Sequence, residues 1–185
     1  MSVHVVSGVP GAGVSSVASE ATRRLDGVRL FNFGDVMLEQ AVSRGIVESR
    51  DGLGDLPIYE QTYLQRASAE YLRDESSSDD LLVNARLVVG TKHGYVLGLP
   101  REVLWELNPE SLVVVEASAD VIAARRSESD YRSYGDSSEG EIEFHQSLNR
   151  SAALSYASTV SSTLHRVDNE SSVDDSADRL VEVLA

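Results

Sequence analysis

The stretch Val3-His4-Val5-Val6-Ser7-Gly8-Val9-Pro10-Gly11-Ala12-Gly13-Val14-Ser15-Ser16 decides how this chain is read. Val3 to Ser7 is a short β-branched run that stops at a glycine, the pattern of a buried parallel strand. From Val17 to Leu25 the apolar residues take helical spacing. A glycine-rich turn between a strand and a helix is a natural anion site. Successive backbone N–H groups form a concave nest there, and the helix N-terminus adds roughly half a positive charge. Gly8, Gly11 and Gly13 supply the φ freedom and the clearance that a nest needs. The spacing Gly8-x-x-x-x-Gly13-x-Ser15 matches the phosphate-binding pattern G-x-x-x-x-G-K-[ST] except at the lysine, where Val14 stands. The point charge that reaches the β- and γ-phosphates is therefore missing, while Ser15 keeps the hydroxyl expected to ligate Mg²⁺.

Outward from this loop, strands and helices alternate. Val28 to Asn32 reads as a second strand and Gly34 to Val42 as a helix. Gly45 to Pro57 is polar and reads as loop. Tyr59 to Leu72 has a helical apolar face, with Tyr59, Tyr63 and Tyr71 expected to pack. Leu81 to Val83 begins a third strand, and Val88 to Leu99, with its glycines, reads as irregular. Arg101 to Leu107 is a short helix, with Trp105 expected to anchor it on the sheet. Leu112 to Glu116 is a fourth strand. Ser118 is placed to cap a helix from Ala119 to Arg126. Ser127 to Gly140 lacks an apolar period and reads as a mobile loop. A long helix over Glu141 to Val160, a fifth strand over Thr163 to Val167 and a last helix over Val173 to Leu184 complete the chain. This order predicts one α/β domain over residues 1–185, a five-stranded, mostly parallel central sheet with helices on both faces.

Composition narrows the function. The chain has 185 residues, 42% of them hydrophobic, enough for one real core. It has no cysteine, which excludes disulfide scaffolds, Cys-ligated zinc and thiol catalysis. No apolar run approaches the ~20 residues needed to span a bilayer, and no secretory pattern is read at Met1 to Gly8. A cytoplasmic protein with no membrane partner is expected. Thirty acidic residues against 16 basic ones give a net charge of −14, a poor match for nucleic acid. Lys92 is the only lysine, and the acids are dispersed along the chain. Such a coat suits a protein kept hydrated at very high salt, where the Debye length shrinks to about 3 Å at 1 M. The histidines His4, His93, His145 and His165 show no metal-ligand spacing, and His4 reads as structural.

The segments VHVVSGVPGAGVSS (3–16), FNFGDVMLEQA (31–41), GYVLGLP (94–100), LNPESLVVVEASADVIAARR (107–126) and HQSLNRSAALSYA (145–157) resemble the archaeal type of adenylate kinase. The resemblance runs over nearly the whole chain. It implies a three-layer P-loop nucleoside-kinase fold with a small lid, at about residues 127–140, and an acceptor-nucleotide region at about 33–80. It also implies transfer of the terminal phosphate of ATP to AMP, giving two ADP, with Mg²⁺ as cofactor, and a homotrimer. Phosphoryl transfer needs two anionic nucleotides held in line, water excluded, and cations around the moving group. Arginine forks grip phosphate well. Arg125, Arg132 and Arg150 flank the lid region of the resembled family and are the catalytic candidates. Arg126, beside Arg125, cannot share its helix face and ranks below it. Gly8, Val9, Pro10, Gly11, Ala12, Gly13, Val14, Ser15 and Ser16 form the nucleotide loop, with Ser15 on Mg²⁺. Gly34 and Arg50 fall on the acceptor side, and Gly94 opens a backbone wall against adenine. The chain departs from the family at Asn84, where an acid near Mg²⁺ is common, at Gly54 and at Tyr134, where arginines are common. A nucleotide-binding homologue with weak transfer, or a kinase for another small acceptor, stands as the alternative.

Overall fold

The computed structural model describes residues 1–91, 93–128 and 138–185. Along the chain these form β1 (Val3–Ser7), α1 (Val14–Thr22), β2 (Val28–Asn32), α2 (Phe33–Ser43), α3 (Arg50–Gly54), α4 (Ile58–Glu75) and β3 (Asp80–Asn84). Then come β4 (Val88–Thr91), β5 (Gly94–Leu97), α5 (Arg101–Leu107), β6 (Ser111–Glu116), α6 (Ala119–Ser127), α7 (Glu139–Val160), β7 (Thr163–Asp168) and α8 (Val173–Leu184). Five strands pair in parallel in the order β2-β3-β1-β6-β7. In β1, β3 and β6 successive apolar side chains alternate between the two faces. Val5, Leu81, Val83, Leu112 and Val114 join one core; Val6, Leu82, Val113 and Val115 join the other. A strand apolar on both faces must be covered on both, which is why the pattern reads as a continuous hydrophobic run. Helices α2, α4, α5 and part of α7 close the first core, and α1, α6 and α8 the second. Leu81, Leu82 and Leu112 are fully buried, and truncating any one to Ala should cost about 2–5 kcal/mol.

The register brings Val6 of β1 level with Asn84 of β3 and Val113 of β6, so the strands' C-terminal ends form one edge. From β1 the chain moves toward β2 on one side, and later from β3 toward β6 on the other. A parallel sheet binds ligands at such a switch point, outside the strands' C-terminal ends. The loop from Gly8 to Gly13 sits there.

Several expectations are corrected. The stretch 45–57 contains the short α3, and 88–99 is an antiparallel hairpin, β4 with β5. The hairpin is held by α7: the Tyr95 ring lies 5.8 Å from Phe144 and 4.7 Å from His145. Trp105 does not anchor α5 on the sheet. It is 52% exposed, with the Arg101 guanidinium 4.3 Å from its ring, while Val103, Leu104 and Leu107 fill the core. Of the tyrosines, Tyr71 packs edge-on against Phe31, whereas Tyr59 and Tyr63 are exposed. Ser118 holds the N-cap position of α6 but makes no capping bond there; its hydroxyl donates to Glu170 at 3.0 Å. His4 is structural as expected, buried between Ser111 and Ser2 at 2.7 and 2.9 Å.

Candidate functional site

The loop after β1 is held by its carbonyls. The Val9 carbonyl accepts from Ala12 N–H at 3.0 Å and the Gly13 carbonyl from Val17 N–H at 3.1 Å. The Pro10 carbonyl accepts from Arg126 Nε and the Ala12 carbonyl from Asn169 Nδ2, both at 2.8 Å. Gly11 and Gly13 stand at φ +91° and +88°, which other residues rarely adopt. Gly8 serves by size instead: a Cβ there would collide with the Val115 carbonyl and the Val14 side chain. The first-turn amides of Val14, Ser15 and Ser16 have no intrahelical acceptors. Gly13 offers them no side-chain cap, and the first turn of α1 holds no acid. The result is a helix N-terminus whose donors and partial charge are unanswered among the described residues. The lysine position has become a core position, because the Val14 side chain is buried.

Two arginines from the end of α6 reach the loop. Arg126, ranked low from sequence, is buried and bonds Pro10. Arg125 donates through Nη2 to the Asn169 carbonyl at 2.8 Å. Its Nη1 is buried without a hydrogen-bond partner among the described residues, 3.9 Å from where a Gly13 Cβ would stand. The loop wraps the end of α6, so adjacent residues both meet it although they point apart. Arg132 lies outside the described residues, as do Tyr134 and residues 129–137 of the expected lid.

Across the edge, Asn84 Nδ2 donates to Ser15 Oγ at 3.2 Å. The residue expected to stand near the metal therefore does touch the expected ligand, as an amide in place of an acid. Among the described residues no group of three or more His, Asp or Glu gathers to hold an ion. A hydroxyl and an amide suit a Mg²⁺ that arrives on a polyphosphate and takes most of its oxygens from phosphate and water.

Arg150, on α7, is 42% exposed at its side chain and is ion-paired. Its Nη1 donates to Glu116 Oε1 at 2.9 Å and its Nη2 to Glu143 Oε1 at 2.6 Å. The Glu143 hydrogen bond, joined by that to Glu116, raises its pKa above the usual arginine value. Glu116, buried at the end of β6, gives its other oxygen to Arg166 at 2.8 Å. One turn earlier, His145 is buried and bonds the Val88 carbonyl at 3.3 Å. Burial pushes its pKa down, so it supplies no cation to the edge at neutral pH.

The region expected to take the acceptor is occupied by its own side chains. Asn32 Oδ1 accepts from Gly34 N–H at 3.0 Å and Asp35 N–H at 3.2 Å, capping α2. Arg50 pairs with Asp35, and its Nη1 lies 3.4 Å from a Cβ placed on Gly34. Gly34 and Arg50 are thus brought together. Gly94 lies at the hairpin turn with φ +121° and open space around it, a turn glycine in its geometry.

A five-stranded parallel sheet with an open glycine nest at its switch point, flanked by arginines, defines a P-loop kinase of small molecules. Solved structures agree on the fold. A shikimate kinase from Acinetobacter baumannii matches with TM-score 0.58 at 13% identity, over 100% of this chain and 93% of that one. A sugar kinase from Janibacter sp. matches with TM-score 0.57 at 16% identity, over 100% and 94%. The AAA domain model matches residues 7–143. The adenylate kinase of Methanothermobacter thermautotrophicus is 40% identical over 96% of this chain and 95% of its own length. That of Pyrococcus furiosus is 35% identical over 98% and 94%, and that of Methanopyrus kandleri 39% identical over 90% and 88%. The chain belongs to the archaeal adenylate kinase family, nucleoside monophosphate kinases with an AAA-type P-loop domain.

Proposed function

We propose that this chain catalyses reversible, Mg²⁺-dependent phosphoryl transfer between ATP and AMP, giving two ADP. The observation that carries the reading is the open N-terminus of α1, with no cap and no acid, beside the unpartnered Nη1 of Arg125. Within the loop from Gly8 to Ser16, the backbone N–H groups of Gly13, Val14, Ser15 and Ser16 hold the ATP phosphates. Mg²⁺ bound to those phosphates and to the Ser15 hydroxyl would neutralise charge that develops on the transferred group. Arg125, Arg132 and Arg150 surround the moving phosphoryl group, with residues about 127–140 as the lid. Arg150 must leave Glu143 to do so, and that exposed pair is weak enough to exchange. Arg50 grips the AMP phosphate next to Gly34, within an acceptor region at about 33–80, and Gly94 belongs to the wall against the base. The acidic coat suits molar salt in a cytoplasm, and the assembly is a trimer.

A coupled assay for ADP in molar KCl, with each nucleoside monophosphate in turn, tests the reaction and its acceptor. AMP should be the best acceptor, and removal of Mg²⁺ with a chelator should abolish turnover. Arg125→Ala and Arg150→Ala should each lower kcat by about 10²-fold or more while ATP affinity changes far less. Equal losses in both would make them ground-state binders. A chain that binds ATP yet forms no ADP would be a sensor, the reading that buried Val14 and uncharged Asn84 favour. Melting temperature should rise from dilute buffer to molar KCl; a flat or falling series would refute the salt-adapted reading.

A further inference from the structure

Asn169 follows β7 directly, and read as sequence it is only the way into the last helix. In the structure it is buried to 1% exposure and makes four bonds. Its backbone N–H donates to the Glu116 carbonyl at 2.7 Å, which fixes it at the same strand edge as the loop. Its carbonyl accepts from Arg125 Nη2 at 2.8 Å. Its Nδ2 donates to the Ala12 carbonyl at 2.8 Å, and its Oδ1 faces the Ser176 hydroxyl of α8 at 3.1 Å. The amide nitrogen also fills the space that a Cβ on Gly13 would need.

We infer that Asn169 is a positioning residue for ATP: its amide turns the Ala12 carbonyl away from the nest, and its backbone carbonyl holds Arg125 against the loop. A peptide carbonyl and the next N–H point in opposite directions, so anchoring the Ala12 oxygen outward directs the Gly13 N–H inward. A carbonyl free to swing in would set a negative dipole against phosphate. The bond to Arg125 Nη2 fixes the guanidinium plane and leaves the unpartnered Nη1 beside Gly13. The Nδ2 bond to the Ala12 carbonyl sets which end of the amide faces the loop, and the Ser176 hydroxyl, which also lies 2.9 Å from the Asp168 carbonyl and 3.0 Å from the Ser172 carbonyl, stands beside the other end. The inference rests on the nest as the ATP site and adds the residue that sets its shape.

Asn169→Asp keeps size and the acceptor for Ser176, removes the donor, and sets a carboxylate oxygen against the Ala12 carbonyl. It should weaken ATP binding, measured by calorimetry without acceptor, by about 10- to 100-fold, as for an unpaired buried polar group. KM for ATP should rise in step, and KM for AMP should stay within about twofold, since Asn169 touches nothing on the acceptor side. Ser176→Ala removes a hydroxyl shared between Asn169 Oδ1 and the Asp168 and Ser172 carbonyls, and should weaken ATP binding by about threefold, the scale of one neutral hydrogen bond. Should Asn169→Asp fail to fold, Ser176→Ala carries the test. A merely structural Asn169 would lower the melting temperature and leave both Michaelis constants alone, or raise them equally; either result overturns the inference. Wild type that binds no ATP overturns the nest and this inference together. Wild type that binds ATP beside variants that bind it equally well overturns this inference alone.

Discussion

Helices α1 and α2 begin at the same edge of the sheet, α1 after the loop from Gly8 to Gly13 that follows β1 and α2 directly after β2, and their N-termini are opposites. At α1 there is no side-chain cap and no acid in the first turn. At α2 the Asn32 side chain caps two amides, Asp35 sits in the first turn, and Arg50 covers Asp35. Both helices carry about the same partial charge at that end. The difference lies in what answers it. In the proposed reading the N-terminus of α1 is left for a ligand, on a loop whose Gly11 and Gly13 already stand at positive φ. The N-terminus of α2 is satisfied internally, so in the proposed reading a monophosphate would compete with Asp35 for Arg50. A protein that admits a polyphosphate first and an acceptor second would be arranged this way.

The comparison can be broken outright at Gly13. Gly13→Val forces a β-branched residue to φ +88° and drives its Cβ into the Asn169 amide, so the obstacle is the protein's own side chain before it is the phosphate. Strain of about 1–3 kcal/mol and loss of measurable ATP binding are expected by melt and calorimetry. Normal binding by this variant would remove the loop from the ATP site.

Ser16→Asp sharpens it, by giving α1 the first-turn acid that α8 has at Asp174 and Asp175. The bare helix should gain about 0.3–1 kcal/mol in stability. ATP affinity should nevertheless fall about 10²-fold or more through like-charge repulsion. Both quantities moving the same way would show that the open end is not kept open for an anion. The smallest effect is expected on the other helix. Asp35→Asn frees Arg50 from an exposed pair that contributes about 0.2–1 kcal/mol. KM for AMP should therefore fall about 2- to 5-fold with KM for ATP unchanged, whereas a rise would make Asp35 part of the acceptor site.

The donor half was legible because its information is local. A β-branched run, three glycines and a helix in one stretch of sequence specify strand, nest and N-terminus without any distant contact. The two-face alternation in β1, β3 and β6 was legible for the same reason. What escaped depends on neighbours distant in sequence. The β4–β5 hairpin has four-residue strands rich in glycine, and rings from α7 hold it. Trp105 looked like an anchor by residue type, yet the core takes its neighbours Val103 and Leu104 and leaves the indole under Arg101. Asn169 acquires its role only because β7 pairs with β6 and brings residue 169 to Glu116. Arg126 was set aside by helix-face logic, which assumes a partner on one side of the helix and not a loop around its end.

Glu116 has an understudy built in. Its two oxygens are bonded to different arginines, Arg150 on α7 and Arg166 on β7. Stripping a buried carboxylate of its only partner would cost about 3–5 kcal/mol, a toll that would recur in every turnover if Arg150 were alone. Under the role proposed for Arg150, Arg166 would keep the carboxylate paired while Arg150 swung toward a phosphoryl group and back. The second arginine thus keeps a buried charge paired whichever way the first one points.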